Sequence, residues 1–193
     1  MKTAHSRRRQ VLLFARNFFK HPRMLGSIIP SSRFLIEHLM RQVDWRRARV
    51  IVEYGPGVGN ITAEVLKRLH PEGRMVVFEL NDDFVTFLRE SIPDPRLHVV
   101  HASAADVERV LAGLGLDGAD YAISGIPFST MPPEVRTAVV KATRAVLGRR
   151  GGWFLVYQFS REVSRHLRRE FGEVREAFEP LNIPPARLYY ASV

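Results

Sequence analysis

Residues 50 to 60 read Val-Ile-Val-Glu-Tyr-Gly-Pro-Gly-Val-Gly-Asn. The opening run is β-branched and apolar, the composition of a buried strand. Three glycines two residues apart follow at once, at Gly55, Gly57 and Gly59. Glycines at a strand end let the chain turn tightly and let a ligand approach the backbone. The spacing is G-x-G-x-G, not the G-x-G-x-x-G of a dinucleotide-binding turn. Glu53, just before the first glycine, is poorly placed beside a pyrophosphate and well placed beside an ammonium group.

Outward from this stretch, strands and helices alternate. Helices are predicted over 62–70, 82–91, 104–112, 133–147 and 161–170. Strands are predicted over 75–80, 97–101, 121–124 and 153–159. Two further strands, 173–179 and 187–192, are joined by Asn182-Ile183-Pro184-Pro185. Alternating units closed by a hairpin predict an α/β fold, with a mostly parallel sheet and one antiparallel strand.

The other strand ends carry polar or small residues, and ligands bind at the carboxyl ends of such strands. Glu79 and Leu80 end the second strand. A carboxylate about 20–25 residues after the glycines suits a ribose diol, although alone it reads equally as a solvated strand-end acid. Ser103 and Ala104 follow the third strand, small enough for a flat adenine to lie there. Ser124-Gly125-Ile126-Pro127-Phe128 follows the fourth.

This set of four strand ends resembles the class I S-adenosylmethionine-dependent methyltransferases, over roughly residues 26–192. The resemblance implies a Rossmann-like sheet preceded by N-terminal helices. It implies S-adenosylmethionine as cofactor, with Glu53, Gly55, Gly57, Gly59 and Asn60 around its methionine part and Glu79 and Leu80 at the ribose. Ser103 and Ala104 would edge the adenine, though many relatives carry aspartate where Ser103 stands. Ser124 would touch the cofactor near the reacting centre. Glu53, Ser124 and Phe128 are then the candidate catalytic residues, with Phe128 offering a ring face to the growing cation. The amine would attack the methyl group in line, without a covalent enzyme intermediate.

The fourth strand end bears on the methyl acceptor. Enzymes that methylate the adenine amine, including ribosomal RNA adenine dimethylases, use Asn/Asp-x-Pro-Tyr/Phe, whose first side chain accepts a hydrogen bond from the target amine. Here the proline and the aromatic ring remain, but Gly125 stands in the acceptor position. That disfavours nucleic acid. The loop from Leu25 to Ser32, the Ser124–Pro127 motif and the tail from Asn182 to Tyr189 together resemble bacterial phospholipid N-methyltransferases. These convert phosphatidylethanolamine toward phosphatidylcholine. An enzyme for another aminolipid, such as an ornithine lipid, would look similar, and an RNA adenine methyltransferase remains the alternative. By the same resemblance, Arg187 and Tyr189, two apart on a strand and so on one face, would bind the head-group phosphate. An edge-strand ion pair and a core tyrosine are the competing reading.

Composition sets the outer bounds. The 193 residues suit one compact domain, and the absence of cysteine excludes disulfides, thiol nucleophiles and cysteine-ligated metals. No metal-ligand spacing is seen among the histidines. The net charge of +9 is unevenly placed: residues 1–49 carry 12 basic and 2 acidic groups, while the remaining chain is close to neutral. Residues 1–49 are read as basic, amphipathic helices with a cofactor-covering loop, and 50–193 as the cofactor-binding domain. A helix over about 6–20 gathers Val11, Phe14, Ala15 and Phe18 on one face and Arg9, Arg16 and Lys20 on the other. It could lie in a bilayer interface, where anionic lipids add roughly 1 kcal/mol per nearby basic residue. It could equally pack on the domain, and Arg7-Arg8-Arg9 could be a solvated tail or an RNA-binding arm. The expectation is a monomeric cytoplasmic enzyme, attached peripherally to the inner face of the cell membrane, with an aminophospholipid substrate.

Overall fold

A computed structural model of the protein describes residues 31–193. The predicted helix over 6–20 and the segment from Gly26 to Pro30 lie outside the described residues. Seven strands form one sheet: β1 (Val50–Tyr54), β2 (Arg74–Glu79), β3 (Leu97–His101), β4 (Tyr121–Ser124), β5 (Trp153–Gln158), β6 (Glu173–Glu179) and β7 (Ala186–Ser192). Their order is β3-β2-β1-β4-β5-β7-β6. The β3-to-β5 pairs are parallel, and β7 runs antiparallel to both neighbours. The α/β, Rossmann-like expectation, with one antiparallel strand, therefore holds.

Among the described residues, six helices cover the two faces. Helices α1 (Arg33–Met40), α2 (Asn60–Arg68) and α3 (Asp82–Ser91) pack on one, and α4 (Val107–Gly113), α5 (Pro133–Gly148) and α6 (Glu162–Glu170) on the other. The central strand β1 is buried along its whole length, which is why it reads as a continuous apolar run. Its two faces feed different cores: Val52 and Tyr54 join the α4–α6 side, and Ile51 the α1–α3 side. The start of β1 is pinned by Asp120, whose Oδ2 accepts both the Arg49 and Val50 N–H groups at 2.7 Å.

Helix starts follow local capping chemistry. Ser32 Oγ accepts the Leu35 N–H at 3.2 Å, and Asn81 Oδ1 accepts the Asp83 N–H at 2.9 Å. Most boundaries shift by a residue or two, and two of the differences have a clear local cause. Helix α2 begins at Asn60 rather than 62, because Gly59 takes a left-handed conformation and opens the helix directly. The predicted helix over 104–112 is divided, because Ser103 caps a short 3-10 turn, Ala104–Asp106, ahead of α4.

The β6–β7 hairpin projects beyond the carboxyl ends of the parallel strands, since Glu179 and Ala186 lie at that edge. Its tip is fastened to α1. Asn182 Oδ1 accepts the Ser32 N–H at 2.9 Å, and its Nδ2 donates to the Pro184 carbonyl at 2.8 Å. Glu179 accepts the Leu181 N–H at 2.8 Å and lies 3.3 Å from His38 Nδ1. The same hairpin exposes Phe178, Leu181 and Ile183, the last at 79%.

Candidate active site

The turn after β1 is shaped by close packing as much as by backbone freedom. Gly55 and Gly59 have φ of +71° and +77°. A Cβ on Gly55 would stand 2.7 Å from the Ile126 side chain, and one on Gly59 2.7 Å from Leu88. Both positions therefore demand glycine on conformation and on space. The turn delivers the start of α2 close beside Glu53.

Glu53 is 2% exposed, and its Oε2 accepts the Thr62 hydroxyl from α2 at 2.6 Å. Burial pushes its carboxyl up to about 7, the Thr62 bond opposes this, and the neighbouring Glu79 charge adds to it. Among the described residues no cationic side chain offsets these causes. A ligand that brings an ammonium group would supply the missing charge.

Glu79 at the end of β2 is also buried. Its Oε1 accepts the Leu80 and Asn81 N–H groups at 2.9 and 3.0 Å, and its Oε2 accepts the Gly57 N–H at 3.2 Å. This ties the second strand end to the glycine turn and fixes the carboxylate. Burial raises its pKa, and the three N–H bonds hold it back. A carboxylate has about four lone-pair sites, so accepting capacity remains for a hydroxyl ligand. Leu80 beside it is exposed, while Asn60 at the start of α2 is partly exposed. Ser103 Oγ accepts the Ala105 N–H at 3.2 Å, and Ala104 is buried next to it. The predicted cofactor residues thus come together along the ends of β1, β2, β3 and β4.

At the end of β4, Ser124 is fully buried, and its Oγ has no hydrogen-bond partner among the described residues. An unpaired buried hydroxyl costs about 1–3 kcal/mol, so a polar ligand group reaching it gains that much. Two buried acids, an orphan hydroxyl and a tight glycine turn fit a ligand that carries both an ammonium group and a diol.

Phe128 departs from expectation. It is completely buried in the core, edge-on to Phe154 with centroids 6.5 Å apart. Its ring packs beneath the site and cannot present a face to the reacting group. The aromatic position after Pro127 is met by packing, because the short turn at Phe128–Thr130 folds the ring inward.

Sequence reasoning missed Gln158 and Tyr157 at the end of β5. Gln158, 5% exposed, accepts the Phe128 N–H at 3.3 Å and donates to the Ile126 carbonyl at 2.7 Å. It braces the turn after β4 from the neighbouring strand. A polar residue ending the apolar run Trp-Phe-Leu-Val-Tyr-Gln was the available signal. Tyr157 borders Gly125, and with Pro127, Thr130 and Ser160 these residues line a cleft of about 140 Å³.

Arg187 and Tyr189 lie on one face of β7 at the same edge. Arg187 pairs across the sheet with Gln158 and Phe178, and its guanidinium stands 5.7 Å from the Phe178 ring. Tyr189 has its ring in the core and its hydroxyl 3.5 Å from the Ser160 carbonyl, which borders the cleft. Burial raises its pKa. Tyr190 packs on the opposite face.

The family model for the methyltransferase small domain matches residues 25–180. The ornithine lipid N-methyltransferase of Singulisphaera acidiphila is 35% identical over 179 residues, 92% of this chain and 93% of that protein. The ribosomal RNA small subunit methyltransferase A of Bordetella avium is 30% identical over 99 residues, 51% of this chain but 35% of that protein. A solved T. thermophilus 16S rRNA N2 G1207 methyltransferase, in complex with AdoMet and guanosine, superposes with a TM-score of 0.61 at 18% identity. It covers 86% of this chain and 42% of that one, and the likeness is one of fold. The glycine turn, the two buried strand-end acids and the family match lead to one conclusion: the chain belongs to the methyltransferase small domain family and is a class I S-adenosylmethionine-dependent methyltransferase.

Proposed function

We propose that the protein N-methylates the head-group amine of a membrane aminolipid. The observation that carries this reading is the similarity to an ornithine lipid N-methyltransferase along nearly the whole of both chains. The ribosomal RNA methyltransferase relative is matched over only about half of this chain. Glycine at position 125, where adenine methyltransferases place a hydrogen-bond acceptor, weighs the same way.

Two head groups fit the edge beside Arg187. Phosphatidylethanolamine offers a primary amine near a phosphate, and ornithine offers one together with a carboxylate. A guanidinium binds either anion through two parallel hydrogen bonds. The acceptor is therefore an amine on a short arm from an anionic group, presented at a lipid surface. Support for a peripheral position on the inner face of the cell membrane comes from charge and shape. Residues 1–30 carry seven basic side chains and no acidic ones. The chain enters α1 at Ser32, which is bonded to the exposed apolar hairpin tip. Among the described residues no helix is long and apolar enough to cross a membrane.

When bound, S-adenosylmethionine supplies an electrophilic methyl group on a positively charged sulfur. Glu53 would hold the ammonium of its methionine part, and Glu79 would accept hydrogen bonds from its ribose. The Gly55–Gly59 turn would keep side chains out of its way, and Ser124 would offer it the orphan hydroxyl. Arg187 would hold the anionic part of the lipid head group, while Tyr189, fully buried and donating to the Ser160 carbonyl, supports the strand beside it. The protein's contribution is positioning and the exclusion of water.

The test is transfer of labelled methyl from S-adenosylmethionine to anionic vesicles containing phosphatidylethanolamine in one arm and ornithine lipid in another, with RNA in a third. Label in either lipid is expected. Label in RNA with none in lipid would overturn the proposal.

A further inference from the structure

Gly125 is a glycine for lack of room and not for conformation. Its φ lies outside the left-handed region occupied by Gly55, Gly57 and Gly59. A Cβ built there would stand 2.0 Å from the Tyr157 hydroxyl oxygen and 2.3 Å from the adjoining ring carbon. The hydroxyl of a β5 side chain thus occupies the place where a side chain of the β4 turn would begin. The Gly125 backbone is itself held, its N–H donating to the Tyr54 carbonyl at 3.2 Å, so the turn cannot easily move aside.

The surroundings of that hydroxyl belong to the reaction site. It lies close enough to Ser31 and Glu53 for both to bear on its ionisation. Ser124, with its orphan hydroxyl, immediately precedes Gly125, and the cleft that Gly125 and Tyr157 share opens beside them. We propose that the Tyr157 hydroxyl accepts a hydrogen bond from the methyl-accepting amine, and that Gly125 leaves the space for it to do so. This assignment rests on the aminolipid reading.

The chemistry favours a phenol at this spot. An attacking amine must present a free lone pair, with its N–H groups turned away from the methyl donor. One neutral acceptor is enough to set that orientation. A carboxylate there would form an ion pair with the ammonium form and keep the amine protonated. Burial pushes the Tyr157 phenol up to about 12, Ser31 opposing and the Glu53 charge adding, so the hydroxyl keeps its proton near neutral pH. A phenol oxygen has an accepting lone pair to offer the amine. The swap also explains selectivity. The acceptor comes from β5 on a rigid ring, leaving the β4 turn bare for a slim alkylamine.

The experiment compares the full-length protein with Tyr157→Phe and, separately, Gly125→Ala. It uses vesicles of phosphatidylethanolamine or ornithine lipid, and measures S-adenosylmethionine affinity by calorimetry alongside. Tyr157→Phe is expected to lower kcat about tenfold, the worth of one hydrogen bond, with a smaller change in lipid KM and cofactor affinity within about twofold of wild type. Gly125→Ala is expected to lose activity together with thermal stability, because its methyl group meets the ring. Unchanged kcat in Tyr157→Phe would overturn the assignment. A fall in cofactor affinity matching the fall in kcat would also overturn it, by placing the hydroxyl on the cofactor. If the wild type methylates neither lipid, the aminolipid reading fails and this assignment falls with it.

Discussion

On the β1–β2 side of the sheet edge the functional groups are acidic, buried and fixed by their own neighbourhood. Glu53 is tied to Thr62, and Glu79 to Leu80, Asn81 and Gly57. On the β5–β7 side they are basic, aromatic or amide groups, Arg187 and Tyr157 partly exposed and Gln158 and Asn182 buried, and they depend on segments far apart in the chain. Tyr157 fills the space at Gly125, Gln158 braces Phe128, and Asn182 fastens the hairpin to Ser32. The first side matches a positively charged cofactor with hydroxyl groups. On the proposed reading, the second would receive an amine carried close to an anionic group. The contrast teaches that the cofactor half is built from contacts between nearby segments and the acceptor half from contacts between segments far apart in the chain.

The strongest way to separate the halves is Glu53→Ala. Losing a charge-assisted contact should weaken S-adenosylmethionine binding by about 10–100-fold while leaving vesicle binding unchanged. Calorimetry and vesicle co-sedimentation read the two. Loss of both would mean that the halves are not independent. The reciprocal change, Arg187→Ala, should raise lipid KM roughly tenfold with cofactor affinity intact, and Arg187→Lys should recover only part of it because lysine lacks the two-pronged geometry.

A third test uses pH. The folded-state pKa of Glu53 is raised to about 7 from its ordinary value of 4.5. Between those values the folded protein holds a proton that the unfolded chain has released. The stability of the cofactor-free protein should therefore fall as pH rises through that window and level off above about 7. Cofactor affinity should move the other way, rising about tenfold from about pH 6 to about pH 8 as the carboxylate ionises and pairs with the ammonium. Glu53→Gln should flatten this dependence; a slope that survives would assign it elsewhere. The smallest expected effect belongs to the hairpin tip. Leu181→Ser with Ile183→Ser should weaken vesicle binding about threefold by removing apolar surface, without touching cofactor affinity. Equal binding by wild type and variant would remove the tip from the lipid contact.

Much of the cofactor half was legible in the sequence because its determinants are local. The apolar run 50–54, the three glycines and the acid at 79 each report their own strand end. The acceptor half was less legible. Phe128 read as a ring facing the substrate, but the turn at 128–130 and the space beside Phe154 bury it. Tyr157 read as part of an apolar strand, because only the register of β4 against β5 brings it to Gly125. The bareness of position 125 was visible, but what filled it was 32 residues away. Similarly, Asn182 looked like a turn residue, and its bond to Ser32 spans 150 positions.

The central claim is that the methyl group goes to a lipid amine. The most direct measurement is the lipid profile, by mass spectrometry, of cells expressing the wild-type protein beside cells expressing Glu53→Ala. The account predicts methylated derivatives of phosphatidylethanolamine or of ornithine lipid in the first and none in the second. Identical lipid profiles, with methylated RNA appearing only in the wild type, would contradict it.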